Sequence, residues 1–203
     1  MKRILIILMG LVVAATITAC SSLSGQTGWI SLIDGNKGLE NFDRLGDANW
    51  RAQGNAVVAD QAKVGSFLVS KNSYRDFQIR AEFWAETTTN SGIFIRLSDP
   101  KNVTAANSYE VNIYDQRPDP LYGTGAMVDF AKVSPMPKAG GRWNTYLVTA
   151  KGGNILVELN GVQTVNLQDS KFASGPIALQ FANGPKDAPG GAIKWRSVQI
   201  RPL

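Results

Sequence analysis

Apolar and polar side chains alternate with a period of two through much of this chain, the signature of strands that bury one face. The alternation predicts strands over Ser66 to Val69, Phe77 to Glu86, Gly92 to Leu97, Tyr109 to Tyr114, Asn144 to Ala150, Ile177 to Phe181 and Ile193 to Arg201. The sharpest local signal runs from Ile155 to Leu159, through Asn160-Gly161, to Val162 to Leu167. It predicts a hairpin closed by a two-residue type I′ turn, because Asn and Gly tolerate the positive φ angles that turn requires. No long stretch of helical period competes with this pattern, and no internal repeat is visible. Many short strands separated by turn residues predict an all-β sandwich or jelly roll.

Each strand divides into two faces. Ile79, Ala81 and Phe83 oppose Arg80, Glu82 and Trp84; Ile93, Ile95 and Leu97 oppose Gly92, Phe94 and Arg96; Tyr109, Val111 and Ile113 oppose Glu110, Asn112 and Tyr114. Three successive strands therefore pair a core face with one that mixes charged, amide and aromatic groups. Taken as one surface, those mixed faces form a cleft suited to a sugar: carboxylates, Arg and amides meet hydroxyls, and flat rings cover the apolar C–H faces of pyranoses. The same alternation also describes an ordinary solvated sheet face carrying solvent ion pairs among Arg80, Glu82 and Arg96. Trp143 and Trp195, set in sandwich strands, are read as core. Two Gly/Pro-rich loops, Tyr122 to Gly125 and Asn183 to Gly191, either line the cleft rim or serve simply as turns.

The N-terminus follows a different pattern. Lys2 and Arg3 precede an almost unbroken apolar run from Ile4 to Ile17 that ends in small residues. That is the layout of a secretory signal peptide, and the run is shorter than the ~20 residues of a comfortable membrane span. Ile17-Thr18-Ala19-Cys20 resembles the lipobox of bacterial lipoproteins, in which the cysteine is acylated and becomes the new N-terminus. The resulting organisation is a signal peptide over 1–19, a lipidated Cys20 with a Ser/Gly-rich tether over 20–28, and one β-sandwich domain over 29–203. Ser21, with no Asp in its place, resembles the pattern of lipoproteins forwarded to the outer membrane of a diderm cell. The expected location is the cell envelope, lipid-anchored and facing the periplasm.

Composition narrows the chemistry. The chain has no histidine and a single cysteine, Cys20. Zinc sites of His and Cys, Ser-His-Asp triads and imidazole bases are thereby excluded, which leaves carboxylates, Lys, Arg, Tyr and amides for catalysis. The formal charge of +5 includes Lys2 and Arg3, so the mature chain stands at +3 with scattered basic residues. No nucleic-acid footprint follows from that, and neither Gly-rich loop has the strand-loop-helix context of a phosphate-binding motif. No cofactor is predicted. Asp34 to Asn36 and Asp115 offer oxygens of the kind calcium takes, without EF-hand spacing, and calcium stays open.

From Trp29 to Leu203 the chain resembles the 3-keto-disaccharide hydrolases, a family formerly known as a domain of unknown function. The residues that carry the resemblance include Leu32 to Gly35 with Gly38-Leu39 and Trp50, Tyr74 to Phe77, Glu82-Phe83, Asn90 to Arg96, Tyr109 to Ile113 with Asp115, Gly123 to Gly125, Gly141 to Asn144, Asn160-Gly161, Ile177 to Gln180, and Trp195 to Ile200. The run Asn90-Ser-Gly-Ile-Phe-Ile-Arg96 after a Glu-Phe strand is the most specific. The resemblance implies a concanavalin A-like jelly-roll sandwich of two antiparallel sheets whose concave face receives carbohydrate. It also implies cleavage of glycosides oxidised to a ketone at C3. That ketone acidifies the C2 hydrogen, so a base can remove it, the enolate expels the C1 substituent, and water later adds back.

Residue by residue, Glu82, Asn90, Arg96, Glu110, Asn112 and Gln180 fall on the family's polar positions. Glu110 is the expected base and Arg96 the group polarising the ketone. Glu82 is either a second base or the ion-pair partner of Arg96. Trp84, Phe94 and Tyr114 join Asn90, Asn112 and Gln180 as the expected substrate-binding set, with no metal. Two departures stand out: Asn112 occupies a position where many members have Gln, and Phe181 to Gly184 follow the Leu-Gln strand where members commonly carry a histidine. The alternative expectation is a noncatalytic carbohydrate-binding or envelope-interaction lipoprotein.

Overall fold

A strand with every second side chain apolar must bury that side, and two such sheets can bury theirs against each other. The computed structural model describes residues 28–184 and 188–203; the predicted signal peptide, Cys20 and most of the tether lie outside them. Its strands are β1 (Ile30–Asp34), β2 (Phe42–Leu45), β3 (Arg51–Gln53), β4 (Ala56–Ala59), β5 (Ser66–Tyr74), β6 (Phe77–Ala85), β7 (Asn90–Ile95), β8 (Tyr109–Tyr114), β9 (Trp143–Lys151), β10 (Asn154–Leu159), β11 (Val162–Gln168), β12 (Gly175–Phe181) and β13 (Ile193–Pro202). One sheet has eight strands in the order β11-β10-β9-β6-β13-β4-β3, with β1 also paired to β13; the other has five, β2-β5-β12-β7-β8. The fold is an all-β jelly-roll sandwich of antiparallel sheets.

The predicted strands recur within two residues of the expected bounds except β5, which runs on from Val69 to Tyr74, and β8 matches Tyr109 to Tyr114 residue for residue. Asn160 (φ 53°) and Gly161 (φ 80°) both adopt the left-handed region, as a type I′ hairpin needs. β1 to β4 were not foreseen. β4 is buried at all four positions, so it shows no alternation, and β2 and β3 are too short to establish a period.

Between the sheets lie Phe77, Ile79, Ala81 and Phe83 of β6, Tyr146 and Val148 of β9, and Trp195 of β13, facing Ile93, Ile95, Tyr109, Val111, Ile113 and Leu179. Each large apolar side chain removed from water here contributes about 1.5–3 kcal/mol. The Tyr146 hydroxyl crosses this core and donates to the Asn112 carbonyl at 2.7 Å, fixing β8 against the opposite sheet. Trp195 is core as expected. Trp143 is not: it is 39% exposed on the outer surface of the eight-stranded sheet.

Candidate active site

The outer face of the five-stranded sheet holds the site. In the β7–β8 pair Asn90 lies opposite Tyr114, Gly92 opposite Asn112, and Phe94 opposite Glu110. Directly opposed residues share a face, and Gln180 joins them because Ala178 of β12 lies opposite Phe94. A cavity of about 360 Å³ opens over this patch, lined by Asn90, Glu110, Asn112, Tyr114, Gln180, Val128 and Gly184, with Arg117 and Tyr122. That volume falls within the ~300–1,000 Å³ of small-ligand pockets.

The long connection between β8 and β9 supplies the far wall. It runs back along β8: Asn112 N donates to Ala126 O (3.1 Å), Gly125 N to Asn112 O (3.0 Å) and Val128 N to Glu110 O (3.0 Å). Asp115 clasps the connection, accepting from Thr124 Oγ1 at 2.6 Å and from the backbone of Ala139 and Gly140 at 3.0 and 2.8 Å. Its oxygens are thus spent on holding the loop. Among the described residues no cluster of three or more acidic, Cys or His side chains could hold a metal ion.

Glu110 forms the floor. Its carboxyl sits over Gly92, where a Cβ would come within 3.3 Å of Oε1. Burial first, and the negative charge of Asp129 second, push its pKa up to about 8. The Tyr122 hydroxyl donates to Asp129 Oδ1 at 2.8 Å, which raises the phenol pKa. Arg117 brings the cation, its guanidinium 5.2 Å from the Tyr122 ring centre and 5.8 Å from that of Tyr114. Asn90 Nδ2 donates to Asn183 O at 2.7 Å. Asn112 Nδ2 donates to Tyr122 O at 2.6 Å, so this amide positions the loop. Gln180 Oε1 is buried and has no donor among the described residues.

Four of the expected site residues lie elsewhere. Glu82 and Trp84 belong to β6, in the other sheet, so they face the opposite side of the sandwich; Glu82 pairs with Arg196 at 2.8 Å and Trp84 lies under Lys194. Arg96 follows the end of β7 with φ 56°, which breaks the alternation and turns its side chain inward. There, 1% exposed, its guanidinium donates to the carbonyls of Arg75, Gly152 and Phe172 and pairs with Asp76 at 3.3 Å. It is a structural cation. Phe94 shares the outer face but is covered in a satellite cluster with Phe67, Val69, Leu97, Val103 and Ala178. Arg117 and Asp129 carry no signal in the sequence, since loop residues have no periodicity. Tyr122 and Gly184 lie in the two loops for which either a rim or a plain turn was expected, and they line the cavity.

A family model described as a 3-keto-alpha-glucoside-1,2-lyase-like domain matches residues 28–201. No curated protein sequence matches. Among solved structures, two candidate glycosyl hydrolases from Parabacteroides distasonis ATCC 8503 are similar. One has 23% identity and a TM-score of 0.68, covering 87% of this chain and 100% of that one; the other has 18% and 0.72, covering 87% and 95%. The carbohydrate-binding module CBM66 from Bacillus subtilis shares 16% identity with a TM-score of 0.56, over 86% of this chain and 96% of the module. At these identities the likeness is one of fold.

Proposed function

Because the chain belongs to the 3-keto-alpha-glucoside-1,2-lyase-like family, we propose that it cleaves 3-keto-glycosides by removal of the C2 proton and elimination at C1, with Glu110 as the base. The observation that carries this reading is a carboxyl raised to about 8 on the floor of a polar cavity. A base whose pKa lies near the working pH is both available in its charged form and strong enough to take a carbon-bound proton.

In this scheme the Glu110 carboxylate accepts the C2 proton, and the C2–H electrons pass into the enolate over C2, C3 and the C3 oxygen. Arg117, in the role first given to Arg96, supplies the positive charge that stabilises this oxyanion. Return of the electrons reforms the C3 carbonyl, makes the C1–C2 double bond and breaks the bond from C1 to the leaving oxygen. That oxygen departs with a proton, and water then adds at C1 with a proton at C2 to complete net hydrolysis. Tyr114 and Tyr122 cover the ring faces, and Gln180 Oε1, which has no donor among the described residues, accepts from a sugar hydroxyl. Asn112 acts indirectly, through the Tyr122 carbonyl.

The competing reading, a sugar-binding module without catalysis, draws on the absence of any histidine. One assay separates them: a 3-keto-glucoside with a chromogenic leaving group beside the unoxidised glucoside. Release from the keto substrate alone, lost in Glu110→Gln, supports the enzyme. Saturable sugar binding without release retires it.

The sequence pattern around Cys20 supports a lipid-anchored protein of the envelope. Incorporation of labelled fatty acid, abolished by Cys20→Ser, tests this; no label in the parent chain overturns it.

A further inference from the structure

Of the chain's five tryptophans, Trp50 and Trp195 are core, while Trp29, Trp84 and Trp143 stand on the outer face of the eight-stranded sheet. A cation covers each of them. Arg80 and Arg201 lie 4.6 and 4.9 Å from the Trp29 ring centre, Lys194 4.2 Å from that of Trp84, and Arg196 4.3 Å from that of Trp143. Trp84 and Trp143 are directly opposed across β6 and β9. From Gln78 to Trp84 the strip runs roughly 20 Å along β6. It carries Arg80, Lys194, Arg196 and Arg201 against Glu82, with Asp34 and Glu158 on flanking strands and Lys151 at its end.

We infer that this strip is a docking face for an anionic phospholipid bilayer. Indole rings with adjacent cations suit the headgroup layer, where an amphipathic ring is half solvated and Lys and Arg meet anionic lipid. The chain outside the described residues ends at this face: Gly28 leads straight into Trp29, itself part of the strip. On the reading that Cys20 is acylated, on which this orientation rests, the tether over residues 21–28 spans at most about 28 Å. Trp29 is then held within that distance of the membrane, and weak contacts act at high effective concentration. The domain would lie on the eight-stranded sheet with the Glu110 cavity, on the outer face of the other sheet, turned toward solvent.

Residues 28–203 contain every described strand and both core clusters, so the chain from Ser21 is a folded unit and tests the face without the acyl group. It is sedimented with vesicles of phosphatidylethanolamine and phosphatidylglycerol, and with vesicles of phosphatidylcholine alone, at low and high salt. Binding to the anionic vesicles, weakened by salt, is expected, with partition falling on the order of tenfold to a hundredfold in Arg80→Gln/Lys194→Gln/Arg201→Gln. Trp143 fluorescence, isolated as the difference from Trp143→Phe, should be quenched by brominated lipid. A charge-matched control, Lys63→Gln/Lys101→Gln/Lys132→Gln, alters only loop residues and should bind like the parent. Equal loss in both triple variants, equal binding to neutral vesicles, or no vesicle binding overturns the inference. Binding confined to an anionic polysaccharide such as heparin also overturns it. Fatty-acid labelling at Cys20 is scored separately, so failure of the face and failure of the anchor are distinguishable.

Discussion

At Glu110 the physical conflict is between burial and charge. Its folded pKa of about 8 lies above the ordinary carboxyl value of 4.5. Between those values the folded chain keeps a proton that the unfolded chain has lost, so stability falls as pH rises from about 4.5 to about 8 and then levels. With no histidine in the chain, few other groups titrate in that window. Urea unfolding at pH 5, 7 and 9 should show the decline, on the order of 1–4 kcal/mol, and Glu110→Gln should flatten it. For activity the dependence runs the other way: kcat/KM on the keto substrate should rise with pH through about 8, as the base form appears. A profile flat across pH 6–9 would remove Glu110 from the role of base. Arg96 makes the contrasting case. Buried with its donors on three carbonyls and Asp76, it should cost about 3 kcal/mol or more when changed to Ala, read as a fall in the thermal midpoint. Residual activity should track the folded fraction.

The functional element is the β8–β9 connection, which brings Arg117, Tyr122 and Asp129 to a wall that β7 and β8 alone would leave open. Its geometry depends on Asp115, which from the start of the connection holds Thr124 within it and Ala139 and Gly140 near its end. Asp115→Ala should therefore lower kcat/KM by at least tenfold while costing about 1–3 kcal/mol of stability, compared by kinetics and thermal unfolding on the same preparation. Gly92 is the matching constraint on the sheet side. Gly92→Ala would set a methyl 3.3 Å from Glu110 Oε1 and 3.1 Å from the Val111 carbonyl, displacing the carboxyl. Activity should fall further than stability; an unchanged kcat/KM would mean that the carboxyl position is not critical.

At the scale of the molecule, the sandwich separates two chemistries by the thickness of its core, roughly 10 Å between sheets. One outer face bears the cavity, and the other bears the cation-covered tryptophans. Glu82→Gln should accordingly leave keto-glycoside turnover within about twofold and shift stability by no more than about 1 kcal/mol, because the half-exposed Glu82–Arg196 pair is largely screened by water. A large loss of activity would contradict the separation of the faces.

The sequence pattern by itself determined the strands from β5 to β13, the turn at Asn160-Gly161 and, short of Arg96, which side chains share a side of the strands it split. It grouped Glu110, Asn112 and Tyr114 on one side of β8, the family resemblance added Asn90 and Gln180, and the five come together because β7, β8 and β12 are in fact neighbours. It could not tell that the chain crosses between sheets after β6, which sends the polar faces of β6 and β7 to opposite sides of the molecule and removes Glu82 and Trp84 from the cleft. Nor could period two survive the left-handed residue at Arg96, or reach the loop that carries Arg117. Side-chain direction along a strand is a local property of the backbone. Which sheet the strand joins, and which loop folds over it, are decided by long-range burial of the whole core.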